Sequence, residues 1–445
     1  MNVVTALRAR DRARRLRTEL ERLNHILIPK TKAQRDRFRT SLFAKMMRPL
    51  VAMYMAFTDE GRFLFVVGLV VAGFGLDVRR TEVYLLWSVL AGVILASLVV
   101  SRGFRLQGVR IEVLTPPRVA VGEPMIFTLV YKNEGEHPHY GVRVRGPFLP
   151  WDGTWESPRP TVSELAPRAA ARTEVKASFS ERGEHHLDPF HANALVPLGL
   201  ALGPPIDSPG CRFLVVPKVA NVLRVTTPIG RRHQPGGVAL ASKTGESMDL
   251  LGVRPYRPGD PARDLHARSW ARTGQPVVRE FQEEYFSRVG VVVDTDGAVA
   301  DDRVLEAALS LAAGVVAHLS RGEALIDLLV IGDAVHKLTL GRSLGFLDQA
   351  LDLLACVEAA EGPSVDAIWE RLAPHLPRLS CVVVIALRWD APRRALVDRI
   401  RGMGVGCVTL LVTEPADTAR GTPAQGRGLI EVTSDAIVRG EGLSL

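Results

Sequence analysis

Two apolar segments near the N-terminus constrain the fold of this chain more than any other feature. Residues 83–100 are 18 consecutive uncharged residues. As an α-helix they span about 27 Å, close to the roughly 30 Å of a bilayer core. Residues 63–76 form a shorter run that needs flanking residues to reach the same span. We therefore expect a transmembrane hairpin over residues 61–103, with helices at about 62–77 and 83–100. A buried helical hairpin in a soluble protein is the alternative.

Positive charge is concentrated in front of these segments. Residues 1–62 hold 15 Lys and Arg against 6 Asp and Glu, whereas the whole chain holds 56 against 48, so the rest is nearly neutral. A basic segment beside an apolar one fits the positive-inside rule better than a nucleic-acid-binding face. We expect an inner or plasma membrane protein that crosses the bilayer more than once. Both termini and the large domains should lie in the cytoplasm, with no nucleic-acid partner.

Residues 1–60 are expected to form a basic helical arm. Leucines near helical spacing predict an amphipathic helix over residues 5–27, and a Met-rich helix is predicted around residues 41–57. Such a helix can lie on the surface of a lipid bilayer. A solvated arm is the alternative.

The pattern changes in residues 106–218. Apolar and polar residues alternate there, with Pro and Gly at the breaks. Short strands with turn signals about every 8 to 12 residues predict an immunoglobulin-like β-sandwich. The four cysteines form no Cys-x-x-Cys pair, and no two histidines have zinc-ligand spacing. They therefore give no indication of a zinc site or of an oxidising compartment.

Residues 285–445 alternate buried strands with amphipathic helices. Continuous Val, Ile and Leu runs such as residues 289–293 and 381–386 are typical of a parallel sheet covered on both faces. In such Rossmann-type α/β domains, function lies at the carboxyl ends of the strands. Asp294 and Asp296 follow the first strand, so they are the candidate site residues.

One interpretation of these aspartates is a phosphohydrolase. The apolar strand followed by Asp-x-Asp-Gly resembles the first motif of haloacid-dehalogenase-type phosphatases. That likeness implies Asp294 as nucleophile, Asp296 as general acid and Mg²⁺ as cofactor. Asp333 in "VIGDAVH" resembles a later acidic motif of that family. Only 39 positions separate Asp294 from Asp333, which leaves no room for the intervening Ser/Thr and Lys motifs or for a cap domain.

A second interpretation is a degenerate metal-ion-dependent adhesion site. Asp294 after its strand resembles the start of the Asp-x-Ser-x-Ser motif of von Willebrand factor type A domains, whose hydroxyls help to bind a divalent cation. Asp296 and Ala298 stand at the two serine positions, and Ser364 is the candidate in the second loop. The Asp of the third loop is missing, with Asp390 three residues beyond its place. Because hard cations need six or more oxygen ligands, we expect weak Mg²⁺ binding or none, no other cofactor and no catalytic residue.

A third interpretation is structural. An Asp at the end of a strand often caps the helix that follows it. Asp301 and Asp302 are placed to do so for a helix starting near Arg303. This interpretation is compatible with a type A fold whose metal site has decayed.

Residues 250–284 carry a long motif, LLGVRPYRPGDPARDLHARSWARTGQPVVREFQEE. It resembles the signature of domain-of-unknown-function family fifty-eight, in which Arg-x-Tyr-x-x-Gly-Asp precedes an aromatic-containing element, Ala-Arg-Thr and Val-Arg-Glu. Ala267 departs from the pattern at the aromatic position, where Trp270 can substitute. The matching residues are Arg254, Tyr256, Gly259, Asp260, Arg263, His266, Arg272, Thr273, Arg279 and Glu280.

The resemblance implies a bacterial membrane-anchored protein with two transmembrane helices, a β-rich domain and an intact or degenerate type A domain. Such proteins are associated with MoxR-type AAA+ ATPases and have no established enzymatic activity. The expected parts are an arm (1–60), a hairpin (61–103), a β-sandwich (106–218), a signature segment (219–284) and a type A-like α/β domain (285–445).

We therefore expect a non-enzymatic adaptor or scaffold whose degenerate type A domain binds a protein partner. By resemblance, that partner is a MoxR-type ATPase; a Mg²⁺-dependent phosphohydrolase is the alternative. The six Arg and five Asp or Glu of residues 250–284 predict salt bridges that pin this segment to the sheet. A partner-binding surface is the alternative for the segment.

Overall fold

The fold is described by a computed structural model that divides into two compact units, residues 1–215 and 216–445. Ala298, Asp301, Asp333, Ser364 and the arm before residue 33 lie outside the described residues. The described residues are 33, 36, 37, 40–75, 81–156, 160–228, 234–238, 250–281, 285–286, 288–296, 302–322, 324–331, 335–340, 345–359, 365–414 and 428–445.

The first unit begins with three helices, α1 (Leu42–Ala56), α2 (Asp59–Gly75) and α3 (Thr81–Ser101). α2 begins three residues before the predicted position 62. The cause is Thr58, whose Oγ1 accepts a hydrogen bond from the Gly61 N–H at 2.9 Å. Two acidic residues in the first turn also favour a helix start here, because they face the positive end of the helix dipole. α2 and α3 pack against each other.

Two of the described helices could cross a membrane by length and composition, α3 and the helix Asp302–Ser320. Their burial separates them, since the apolar window of α3 is 11% buried and that of Asp302–Ser320 is 67% buried. The second is therefore a core helix of its own unit. α2 is apolar but has only 17 residues. Membrane crossing by the α2–α3 pair, and its orientation, stay predictions.

The rest of the first unit is rich in antiparallel β-structure, as the alternating pattern predicts. Its sheets have the orders β1-β3-β7-β5, β10-β9-β4-β6 and β2-β11-β8. Strands from all three sheets contribute side chains to one hydrophobic core, in which Phe127, Leu129 and Tyr131 of β3 are completely buried at every second position. The immunoglobulin-like assignment stays a prediction. The strands are β1 (Val109–Leu114), β2 (Arg118–Ala120), β3 (Met125–Asn133), β4 (His139–Arg145), β5 (Gly153–Trp155), β6 (Thr161–Leu165), β7 (Ala170–Phe179), β8 (Gly183–Leu187), β9 (His191–Ala194), β10 (Ile206–Asp207) and β11 (Cys211–Val216).

The second unit opens with short strand pairs. β12 (Val222–Arg224) is paired in parallel with the last strand of the chain, β23 (Leu443–Ser444). The other two pairs are antiparallel. One of them, β14–β15, encloses the small helix α4 (Ala267–Thr273), which ends at Gly274 in the left-handed conformation that glycine adopts without strain. The antiparallel pairs are β13 (Gln234–Val238) with β16 (Tyr285–Phe286), and β14 (Leu250–Pro255) with β15 (Val277–Phe281).

A six-stranded sheet with the order β19-β18-β17-β20-β21-β22 forms the core of the second unit. The chain starts at β17 in the middle, adds β18 and β19 on one side, and then returns to add the other three strands beside β17. All six residues of β20 are buried, as expected of a strand covered by helices on both faces. The strands are β17 (Arg288–Asp294), β18 (Leu325–Ile331), β19 (Val335–Leu340), β20 (Cys381–Ala386), β21 (Gly406–Thr413) and β22 (Leu429–Thr433), and the helices are α5 (Asp302–Ser320), α6 (Gly345–Ala355), α7 (Val365–Leu372), α8 (Ala391–Gly402) and α9 (Ser434–Arg439).

The sheet differs from the sequence-based expectation at both edges. β19 is antiparallel to β18, so the sheet is parallel with one antiparallel edge strand. β21 is the last strand that the apolar pattern predicts, but β22 follows it in parallel register. Edge strands bury less apolar surface than central strands and can carry polar residues. Because β19 and β22 contain such residues, they do not form the apolar runs by which strands are predicted.

Candidate functional site

The candidate site lies where the order of the sheet reverses. β17 and β20 are adjacent and parallel, with Val293 opposite Ile385 near their carboxyl ends. The chain leaves β17 towards β18 on one side and leaves β20 towards β21 on the other. Such a reversal point is where open α/β sheets bind ligands. Asp294 ends β17 and Asp296 follows it, while Asp390 lies in the loop between β20 and α8. The predicted pair therefore lies at the reversal point of the sheet.

An arginine lies among these three carboxylates. Arg393, in the first turn of α8, donates from Nε to Asp294 Oδ2 at 2.6 Å. Its Nη2 donates to Asp296 Oδ2 at 3.0 Å, and its Nη1 donates to Asp390 Oδ2 at 2.6 Å. Each of the three guanidinium nitrogens thus contacts a different carboxylate. We call these four residues the Arg393 cluster.

Local hydrogen bonds hold each member of the Arg393 cluster in place. Asp390 is the N-cap of α8, since its Oδ1 accepts from the Arg393 backbone N–H at 3.0 Å. Asp294 Oδ1 accepts from the Asp296 N–H at 3.2 Å, which folds the loop after β17 into a tight turn. Between them, buried Thr295 donates from Oγ1 to the Ile331 carbonyl at 2.6 Å. The carboxylates therefore converge because strand ends, turn and helix cap are all fixed.

The cluster is partly buried and carries more negative than positive charge. The Arg393 and Asp294 side chains each keep 14% of their exposure, and three carboxylates share one guanidinium. Burial works to lower the pKa of Arg393, but hydrogen bonds and charges of Asp294, followed by those of Asp296 and Asp390, raise it further, so the net shift is upward. The arginine therefore stays protonated, and its positive charge is permanent.

The Arg393 cluster does not fit the divalent cation that a type A adhesion site implies. A Mg²⁺ ion needs several carboxylate or hydroxyl oxygens about 2.1 Å away in octahedral geometry. Here one oxygen of each aspartate is already hydrogen-bonded to the guanidinium. Within the part of the chain that the structure describes, no three His, Cys, Asp or Glu side chains are grouped to bind a metal ion.

The signature segment forms a separate, mostly exposed hairpin, β14–α4–β15. Arg254 donates from both terminal nitrogens to the Asp260 carboxylate at 2.7 and 2.8 Å, and the Arg257 N–H adds a third bond at 2.8 Å. The side-chain bonds from Arg254, followed by the backbone bond from Arg257, lower the pKa of Asp260 to about 2. Gly259 has a φ of 105°, which favours glycine at this turn.

The remaining signature residues lie around this turn and along α4. Arg263 is 3.8 Å from its neighbour Asp264, and His266 Nδ1 is 2.7 Å from Ser269 Oγ. Thr273 Oγ1 donates to the Ser269 carbonyl at 2.9 Å. Both ion pairs described here join residues of the segment itself, so they support the hairpin rather than pinning it to the sheet. The other members of the signature lie on its exposed surface or on β15: Tyr256, Arg272, Arg279 and Glu280.

Arg393 is the site residue that the sequence analysis missed. It lies 99 positions after Asp294, so no local motif joins the two. A signal was nevertheless present, because Asp390-Ala-Pro-Arg393 follows a buried strand and opens a helix. An Asp at the N-cap with an Arg three positions later directs both side chains to the same strand end.

Comparisons with known proteins give a family-model match over part of the chain. Residues 252–431 match the family model described as "Protein of unknown function DUF58". No curated protein matches the chain.

Three of the similar solved structures illustrate the low sequence identity and low TM-score of these matches. The CARDB domain of PF1109 from Pyrococcus furiosus, solved with di-metal ions, has 15% identity and a TM-score of 0.17, covering 24% of this chain and 91% of that chain. Native Escherichia coli alpha-2-macroglobulin has 15% identity and a TM-score of 0.20, and the match covers 36% of this chain and 8% of that chain. Salmonella alpha-2-macroglobulin reacted with methylamine has 20% identity and a TM-score of 0.20, and the match covers 33% of this chain and 9% of that chain. At these TM-scores the likeness carries no argument about fold or function.

Proposed function

We propose that this chain, whose residues 252–431 match the model of the DUF58 family of proteins of unknown function, is a membrane-anchored, non-enzymatic adaptor or scaffold. In this proposal α2 and α3 anchor it in the membrane, the β-rich part is a spacer, and a von Willebrand factor type A-like domain binds a protein partner. The partner that the family resemblance implies is a MoxR-type AAA+ ATPase.

The observation that carries the proposal is the position of Arg393 among Asp294, Asp296 and Asp390. In a type A adhesion site the corresponding space holds a divalent cation. Here the Arg393 side chain supplies a positive charge to the three carboxylates, which supports a site that does not need a metal. A domain with its strand-end site closed in this way supports a scaffolding role and not metal-dependent chemistry.

The same contacts argue against the phosphohydrolase alternative. A nucleophilic Asp294 must present a free carboxylate oxygen to phosphorus, but its Oδ2 accepts a hydrogen bond of 2.6 Å from Arg393. A general acid at Asp296 must reach the leaving group, but its Oδ2 accepts a hydrogen bond of 3.0 Å from Arg393 Nη2. A carboxylate oxygen held in a charge-assisted hydrogen bond is not free to attack phosphorus.

Titration calorimetry of the full chain in detergent tests the proposal that the Arg393 cluster binds no divalent metal ion. We expect no heat of Mg²⁺ or Mn²⁺ binding at millimolar metal, and no hydrolysis of p-nitrophenyl phosphate above the protein-free rate. Micromolar binding that is lost in Asp294→Ala would instead restore a metal site. Hydrolysis that is lost in Asp294→Asn would restore the enzyme.

A binding assay tests the adaptor role itself. A purified MoxR-type ATPase from the source organism would be titrated onto the detergent-solubilised chain, with and without ATP. The adaptor proposal predicts saturable binding that survives Arg399→Ala, an exposed arginine on α8 outside the Arg393 cluster. Absence of binding in both nucleotide states would remove this partner from the proposal.

A further inference from the structure

Helix α1 exposes a continuous apolar stripe along one face. Leu42, Met46, Leu50 and Met53 are spaced by four, four and three residues, and they are 87%, 72%, 58% and 43% exposed. At about 100° per residue these positions fall within one narrow sector of the helix. An exposed apolar stripe of this length on a soluble surface marks an interaction site.

The orientation of α1 is fixed by the β-rich part of the same unit. Arg145, which is buried, donates from Nη1 to the Met55 carbonyl at 2.9 Å and from Nη2 to the Phe57 carbonyl. The Leu202 N–H donates to the Ala56 carbonyl at 2.8 Å. The end of α1 is therefore tied down, and its apolar stripe faces outward as part of the folded unit.

The stripe ends where the exposed apolar surface of α2 begins. Only Phe57 and Thr58 separate the two helices, and Phe63, Val66 and Leu69 on α2 are also exposed. If α2 enters a bilayer, α1 is held at the level where it enters. Continuity with a membrane-spanning surface therefore indicates lipid as the occupant of the stripe.

Aromatic and basic residues around α1 match the chemistry of a headgroup layer. The Arg62 guanidinium lies 3.5 Å above the Tyr54 ring, and Tyr54 lies beside exposed Phe148 with ring centroids 6.3 Å apart. Tyrosine and arginine are enriched at this depth because each has an apolar body and a polar tip. Residues 30–48 also hold seven Lys and Arg against one Asp, which complements an anionic headgroup surface.

We propose that α1 is an interfacial helix whose stripe of Leu42, Met46, Leu50 and Met53 is embedded at the boundary of headgroups and acyl chains of an anionic membrane. This rests on the proposed anchoring by α2 and α3. Because Arg145 joins the end of α1 to the β-rich part, the embedded helix holds that part against the bilayer surface. The membrane thus sets the orientation of the first unit.

Photo-crosslinking in vesicles tests the proposal on the full chain. p-Benzoylphenylalanine would replace Met46 on the stripe, Arg48 on the opposite side of α1, or Leu95 on α3, one at a time. Each protein would be reconstituted in phosphatidylcholine vesicles containing phosphatidylglycerol, and lipid adducts would be quantified by mass spectrometry. Leu95 is the positive control because it is an exposed residue of the anchor helix.

We expect lipid adducts at Met46 and Leu95, with about tenfold less at Arg48, because an interfacial helix buries only its apolar face by about 5–10 Å. Adducts at Leu95 but not at Met46, including adducts from Met46 to a second copy of the chain, would overturn the interfacial helix while leaving the anchor intact. Absence of lipid adducts at both positions would overturn the anchor itself. The three results are distinguishable within one set of samples.

Discussion

Replacing Arg393 by alanine removes the only positive charge of the Arg393 cluster and leaves three carboxylates facing one another. Breaking a buried ion pair from one side costs about 3–5 kcal/mol, and the remaining exposure of Arg393 reduces this to about 2–4 kcal/mol. For a unit of the size of residues 216–445, each kcal/mol lowers Tm by about 2–4 °C. We therefore expect the Tm of that unit to fall by roughly 5–15 °C in Arg393→Ala.

The same substitution frees the carboxylate oxygens for a cation. We expect Arg393→Ala to bind Mg²⁺ with a Kd of about 1 mM, so that 10 mM Mg²⁺ returns about 1.4 kcal/mol of the lost stability. The assay is thermal unfolding of the detergent-solubilised chain with and without Mg²⁺. The matched control is Arg399→Ala on the same helix, whose pair with Asp366 is exposed and is worth about 0–1 kcal/mol.

Two results would refute this reasoning. If Arg393→Ala and Arg399→Ala lower Tm equally, the guanidinium does not neutralise the strand-end carboxylates. If Arg393→Ala is strongly destabilised but gains nothing from Mg²⁺, the three carboxylates are not arranged to hold a cation, and the likeness to an adhesion site is lost.

Two further predictions concern the cores of the two units. Burial raises the pKa of Cys381 to about 12 and that of Cys407 to about 11, so at pH 8 both remain protonated thiols. A disulfide reagent should label them only after denaturation, whereas exposed Cys356 should react in the native protein. Fast labelling of Cys381 would contradict the buried sheet. Gly61→Ala places a methyl group 1.9 Å from the Leu200 carbonyl oxygen, so we expect a lower yield of folded protein and a lower Tm. A normal yield with an unchanged Tm would refute the close contact at the start of α2.

The sequence predicts the structure correctly where the pattern lies within one short segment. The alternating residues of β3 and the Val runs of β17 and β20 predict which faces of these strands are buried. Because β17 ends in Asp294, the pattern also places that residue at the carboxyl edge of the sheet. The start of α2 was missed by three residues because the apolar pattern does not register the cap at Thr58. β19 was missed because an edge strand can carry His and Lys.

The Arg393 cluster could not be derived in full, for a different reason. Its members come from two segments that are far apart in sequence, and only the sheet order brings the ends of β17 and β20 together. In the adhesion-site interpretation, the substitutions at the serine positions and the missing third-loop Asp predict a decayed cation site. They do not indicate what compensates the remaining negative charge, because that depends on which side chain of α8 reaches the edge. The placement of Ser364 stays untested, since it lies outside the described residues.

An arginine in this position changes what the edge of the sheet can bind. A divalent cation leaves a coordination position to which a partner's carboxylate can bind, whereas the Arg393 guanidinium has five N–H groups and uses three on its neighbours. The remaining N–H groups could meet a carboxylate, but the cluster already has two more negative than positive charges. A further like charge at about 4 Å is opposed by roughly 4 kcal/mol at an effective dielectric constant near 20. A carboxylate-led mode of partner binding is therefore disfavoured at this edge. Because its pKa is raised, the Arg393 guanidinium keeps its charge at physiological pH. In the adaptor proposal, the α/β domain therefore binds its partner through surfaces beyond the Arg393 cluster.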